Sequence, residues 1–147
     1  MKTVGHELMI RAYIDTNIFD YVAIRHPKYG EACKKITDDI RDGKIEAYCS
    51  YLVPIEILGS LASVDPNVAA GAILAFFSFS IKMIQIDQML IKKASEIMRE
   101  IDITYDSIHA AAMKLEGIDT IITEDIAHWR KIENIKIIRP LQYKSLS

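Results

Sequence analysis

Five short apolar runs alternate with longer stretches of helical patterning, and this alternation constrains the chain more than any other feature. The runs cover residues 11–14, 45–48, 81–86, 118–122 and 135–138. Each is of strand length, and a strand that returns through a helix to a neighbour must pair with it in parallel. The expected class is therefore α/β, with a buried parallel sheet between helical layers.

The intervening helices are marked by their stops. Thr16 or Asn17 caps a short helix over 16–23, and Pro27 interrupts it. Residues 29–42 place Ala32, Cys33, Ile36 and Ile40 on one face, with Gly43 as the terminator. Ser50 opens a helix that carries Pro54 near its first turn and Ile55, Ile57, Leu58, Leu61 and Ala62 further on. Asp65 and Pro66 then start an apolar helix through 79. Asp87 caps a helix to about 101 with Leu90, Ala94, Ile97 and Met98 inward, and Thr104 caps one over 105–116 that Gly117 ends. A last short helix follows Asp125.

Four acids fall where such a sheet does its chemistry, beyond the carboxyl ends of the strands. Asp15 directly follows the first strand, and Glu56 lies early in the helix after the second. Asp106 is in the first turn of its helix, and Asp125 follows the fourth strand. Each singly reads as a helix-terminal acid, a place worth about 0.3–1 kcal/mol. Together they repel: two carboxylates about 4 Å apart cost roughly 4 kcal/mol at an effective dielectric of 20. Such a group binds protons or recruits a hard divalent cation such as Mg²⁺ or Mn²⁺. Asp87 reads as a plain cap, Asp119 lies at the wrong end of its strand, Asp102 falls in a loop, and Glu124 diverges from Asp125.

The chain has 147 residues, half of them hydrophobic, and a net charge of -2. It suits one domain with a folded core over about 9–143, with either Met1 or Met9 as its start. Near-neutral charge excludes a global basic field, so any nucleic-acid contact is local. Cys33 and Cys49 lack ligand spacing and read as buried thiols in a reducing, cytoplasmic setting. The longest apolar run, 68–81, is too short to span a bilayer. Phe76, Phe77 and Phe79 in that segment leave two readings open, core packing and a partner interface.

The motifs Tyr13-Ile14-Asp15-Thr16-Asn17-Ile18-Phe19, Pro54-Ile55-Glu56-Ile57-Leu58, Tyr105-Asp106-Ser107-Ile108-His109-Ala110-Ala111 and Ile122-Thr123-Glu124-Asp125 occur in that order. The chain thereby resembles the PIN-domain ribonucleases, particularly the single-domain toxins of VapBC toxin–antitoxin systems. The resemblance implies a three-layer α/β/α fold with a five-stranded parallel sheet in the order 3-2-1-4-5. It also implies a site of Asp15, Glu56, Asp106 and Asp125 as catalytic metal ligands for Mg²⁺ or Mn²⁺, supported by Asn17 and Thr123. Pro54 beside Glu56 is the one departure. The implied activity is endoribonucleolytic cleavage of RNA, and the implied partners are an antitoxin and a second copy of the chain. Two other functions compete: a PIN scaffold that only binds partners, and an aspartyl-phosphate transferase using Asp15, which lacks its expected second aspartate. Among the histidines, His109 shares a face with Asp106 and reads as packing or surface. His128, Trp129, Arg130 and Lys131 form an aromatic–basic cluster that either touches RNA or packs Trp129 inward. His26 and Lys28, at a break, are further candidates for substrate contact, and His6 lies ahead of the expected fold.

Overall fold

A computed structural model describes residues 9–144. The elements run β1 (Ile10–Ile14), α1 (Thr16–Ala23), α2 (Gly30–Arg41), β2 (Ile45–Ser50), α3 (Leu52–Ala62), α4 (Pro66–Ser78) and β3 (Ile81–Ile84). They continue as α5 (Gln88–Ile101), α6 (Asp106–Glu116), β4 (Thr120–Ile122), α7 (Ile126–Trp129) and β5 (Lys136–Ile138), with a 3-10 turn at Pro140–Gln142. All four strand pairings are parallel, in the order β3-β2-β1-β4-β5. The choice of start residue and the placing of His6 lie outside the described residues.

Right-handed crossovers fix the layers. The chain steps from β1 to β2 to β3 through α1–α4, then returns past β1 to β4 through α5 and α6. Accordingly α1 packs against α2, α3 and α4, while α5 packs against α6. Between the layers, Ala12, Tyr13, Ile14, Ile36, Ile40, Ile57, Ile121 and Ile122 form the buried core. The step direction reverses between β1 and β4, so the crevice beyond their carboxyl ends is the switch point of the sheet.

Several local expectations change. Asp15 itself is the N-cap of α1, in an extended backbone with its side chain accepting from Thr16 N, which frees Thr16 and Asn17 for other partners. Ser50 ends β2 rather than opening α3, because its hydroxyl turns back to Tyr13 while accepting from Leu52 N. Thr104 is not the cap of α6, which begins at Asp106 after Tyr105. Met98 is exposed on α5, one step past the buried face of Leu90, Ala94 and Ile97. Pro54 is buried near the start of α3 and leaves that helix intact. Gly43 and Gly117 follow α2 and α6 in the left-handed region that glycine tolerates.

Helix α4 is only part core. Ala69 and Phe76 are buried, Phe76 edge-on to Phe19, but Leu74 is 76% and Phe77 55% exposed. An apolar cavity of about 290 Å³ lies between α4 and α1, lined by Phe19, Val22, Val68, Ala72, Phe76 and Phe79. Among the described residues no helix is long and apolar enough to cross a membrane.

Candidate active site

The four acids converge on the switch point, in two groups. Asp15, Glu56 and His109 place one ligand atom each within 4.8 Å of one another, and Asp106, Asp125 and His128 do the same. The groups are neighbours: the charge of Asp15 is among the forces raising Asp106. Three helix starts, those of α1, α6 and α7, and the ends of β1 and β4 meet here because the sheet reverses here.

The first group is interior. Asp15 is 6% exposed, and an ionised carboxylate so placed needs donors. Its Oδ1 accepts Thr16 N at 2.7 Å, and its Oδ2 accepts Thr123 Oγ1 at 2.8 Å, Trp129 Nε1 at 3.2 Å and Asn17 Nδ2 at 3.5 Å. Asn17 and Thr123 also hold each other, Asn17 Nδ2 donating to Thr123 Oγ1 at 3.1 Å. Thr123 Oγ1 accepts Asp125 N, and Asn17 Oδ1 accepts Glu124 N, which stitches the ends of β1 and β4 together. Glu56 Oε1 accepts Thr16 Oγ1 at 2.6 Å and His109 Nε2 at 2.7 Å. Burial pushes the Glu56 carboxyl up, but His109 and Thr16 outweigh it and hold the group below its usual range. Burial lowers His109, yet Glu56, Asp15 and Asp106 together raise it above its ordinary value.

The second group is open. Asp106, the first residue of α6, accepts His128 Nδ1 at 2.6 Å, and Asp125 caps α7 through Ala127 N at 3.3 Å. Burial, followed by Asp15 among the charges, raises Asp106 against the opposing hydrogen bond from His128. Asp20, one turn after Thr16, adds a fifth carboxylate to this neighbourhood. Burial, with Glu56 and Asp15, lifts its pKa to about 6 against the Ser60 hydrogen bond, and its Oδ1 is buried without a partner among the described residues.

This donor set fits a hard cation. Among the described residues no lysine or arginine forms an ion pair with any of the four acids. Glu56 Oε2, Asp106 Oδ1 and Asp125 Oδ2 have no hydrogen-bond donor among those residues. Excess negative charge with free oxygens is what Mg²⁺ or Mn²⁺ coordination relieves.

Sequence reasoning placed the four acids, Asn17 and Thr123 in one crevice, and the structure brings all six there. It assigned none of His109, His128 and Trp129 to hold an acid. His109 is fully buried on Glu56, which is the packing rather than the surface reading, and Trp129 is buried on Asp15, which is the inward-packed reading of its cluster. The i, i+3 spacing of Asp106 and His109, and of Asp125 and His128, was the available signal. Glu124 points away from the site onto Arg139.

The sequence matches the PIN domain over residues 12–134. The chain belongs to the PIN-domain family. Solved structures share its fold at low identity. VapBC2 from Rickettsia felis, bound to a promoter DNA fragment, aligns with a TM-score of 0.69 and 17% identity over 88% of this chain and 98% of that one. DNA-bound VapBC from Salmonella typhimurium gives 0.68 and 16% over 90% and 99%. Mycobacterium tuberculosis VapC20, described as a sarcin–ricin loop cleaving toxin, gives 0.62 and 16% over 75% and 86%. No curated protein matches the sequence.

Proposed function

We propose that this PIN-domain protein is an endoribonuclease dependent on Mg²⁺ or Mn²⁺, acting as the toxin of a toxin–antitoxin pair. The observation that carries the reading is the pair of acid groups facing one crevice at the switch point, with carboxylate oxygens that have no donor and no lysine or arginine partner among the described residues. Family membership supports hydrolysis of a nucleic acid, and the similarity to a sarcin–ricin loop cleaving toxin favours RNA.

Asp15, Glu56, Asp106 and Asp125 would hold the cation. A cation bound there supplies Lewis acidity, acidifying water and neutralising charge that develops on a phosphodiester. The protein's own groups do the positioning. Thr16, Thr123, Asn17 and Trp129 fix Asp15 from four directions, so its carboxylate has no freedom to turn. His128 holds Asp106 from the open side. Arg130 and Lys131, exposed beside it, offer charge to the RNA backbone without reading its sequence.

The partners follow from the apolar face of α4 and from relatives. Exposed Leu74 and Phe77 beside the α1–α4 cavity suit a hydrophobic partner, and related folds occur in VapBC complexes. The reading therefore includes an antitoxin, a homodimer and a cytoplasmic setting.

The test compares wild type with Asp106→Asn on RNA, with Mg²⁺ or Mn²⁺ and then with chelator. Cleavage that needs both Asp106 and the ion is expected. Equal cleavage by both proteins, or cleavage indifferent to chelation, would sink the reading.

A further inference from the structure

Behind Glu56 lies a chain of polar groups sealed from solvent. Ser50 N donates to Tyr13 Oη at 3.1 Å, and Tyr13 Oη lies 2.9 Å from Ser50 Oγ. Tyr13 Oη also meets His109 Nδ1 at 2.5 Å, and His109 Nε2 meets Glu56 Oε1 at 2.7 Å. Ser50, Tyr13 and His109 are all buried, and the chain links β2, β1, α6 and α3. Buried polar groups of this kind must be matched donor to acceptor along the whole chain.

The matching has one fixed point. An ionised carboxylate only accepts, so His109 Nε2 carries a hydrogen towards Glu56 whatever the charge of the ring. With a neutral ring, Nδ1 accepts from Tyr13 and the tyrosine oxygen accepts from Ser50. With a charged ring, Nδ1 donates and the tyrosine hydrogen turns to Ser50 Oγ. Both arrangements keep the Nε2–H to Oε1 bond. Thr16 Oγ1 donates to the same oxygen at 2.6 Å. Oε1 is thus taken by two donors, while Oε2 has none among the described residues. A glutamate's last torsion is otherwise broad and roughly two-fold.

We infer that His109 and Tyr13 are positioning residues that lock Glu56 Oε1 and so present Oε2 to the cation. The first strand then contributes twice: Asp15 as a ligand, and Tyr13, two residues earlier, as the support of a second ligand through His109. This inference rests on Glu56 being a cation ligand.

The experiment measures Mn²⁺ binding by calorimetry on wild type, His109→Leu, His109→Gln, Tyr13→Phe and Glu56→Ala, and on the Glu56→Ala/His109→Leu double variant. Thermal melts check folding. Groups that orient a ligand are worth roughly 10–100-fold in metal affinity, and His109→Leu is expected to lose that much. Tyr13→Phe should lose less, about threefold to tenfold, and His109→Gln, which keeps a donor, should recover most of the binding. In the Glu56→Ala background, His109→Leu should cost nothing further, because its effect runs through Glu56. A purely structural histidine would cost the same in both backgrounds, which overturns the proposal. So does wild-type affinity in folded His109→Leu; if that variant fails to fold, wild-type affinity in Tyr13→Phe does so instead. Failure of wild type to bind Mn²⁺, or unchanged binding by Glu56→Ala, overturns the ligand reading together with this one.

Discussion

Asp15 accepts four hydrogen bonds and Glu56 two, from side chains and backbone that are themselves mostly buried. Asp106 and Asp125 accept one each, from a half-exposed histidine and from a backbone amide. Both groups border the same crevice, so the contrast is one of support rather than location. Glu56 is stabilised as an anion before any cation arrives, by His109 and Thr16. Asp106 is not: burial and the charge of Asp15 make its ionised form costly. A site divided this way has a rigid floor and a charge-strained wall, and the strain is what a cation would relieve.

Function is where the two halves should agree. Asp15→Asn and Asp106→Asn each remove a proposed ligand, worth about 3–4 kcal/mol of transition-state stabilisation, so cleavage should fall about 10²–10³-fold in both. Initial rates on RNA at saturating Mg²⁺ measure this. An Asp106→Asn enzyme near wild-type rate would remove the outer group from the site, and the proposed function with it.

Stability is where they should part. In chelator at pH 7, Asp15→Ala is expected to melt lower, because Thr123, Trp129 and Asn17 lose their acceptor at about 1–3 kcal/mol for a buried group left unpaired. Asp106→Asn should melt at or above wild type. Adding Mg²⁺ should then raise the melting point of wild type more than that of Asp106→Asn, since a ligand stabilises the state that binds it. Equal shifts would abolish the contrast.

The pH dependence should carry opposite signs. Glu56 sits below its ordinary 4.5 when folded, so its contribution is present above that value and lost as pH falls through the depressed one. Asp106 sits above its ordinary 3.8, so the folded state binds its proton more tightly, and stability is lost as pH rises from 3.8 through the raised value. In metal-free melts, Glu56→Gln should therefore fall furthest below wild type at neutral pH and converge with it in acid. Asp106→Asn should lie above wild type at neutral pH and also converge in acid. Asp20, lifted to about 6, behaves like Asp106, so Asp20→Asn should gain most above pH 6.

The smallest effect concerns the outer histidine. His128→Gln keeps a donor near Asp106 and should change cleavage by less than about tenfold, below the loss expected for His109→Leu.

The fold was largely legible because its signals are local: short apolar runs and 3.6-residue periodicity, Asp65 and Asp87 as helix starts, and Gly43 and Gly117 as stops. The four acids were legible because each sits at a strand or helix end. What escaped was the layer behind them. His109 reads from sequence as one helical residue among apolar neighbours, and nothing local says that Glu56, 53 positions earlier, waits across the crevice. Trp129 reads as an aromatic beside two basic residues, and its indole hydrogen bond spans 114 positions to Asp15. Ser50 and Thr16 read as caps, since a hydroxyl near a helix start is a good cap; in the structure their hydroxyls also engage the tertiary partners Tyr13 and Glu56. Pairings at that sequence distance are set by topology, which no short window contains.

Trp129 is the only tryptophan in the chain, and its indole N–H rests on the carboxylate Asp15. The protein therefore carries a single indole fluorophore wired to the first acid of its site. Emission from one ring reports the electric field at that carboxylate, so loading, protonation or loss of Asp15 becomes readable by fluorescence, without a label and without substrate.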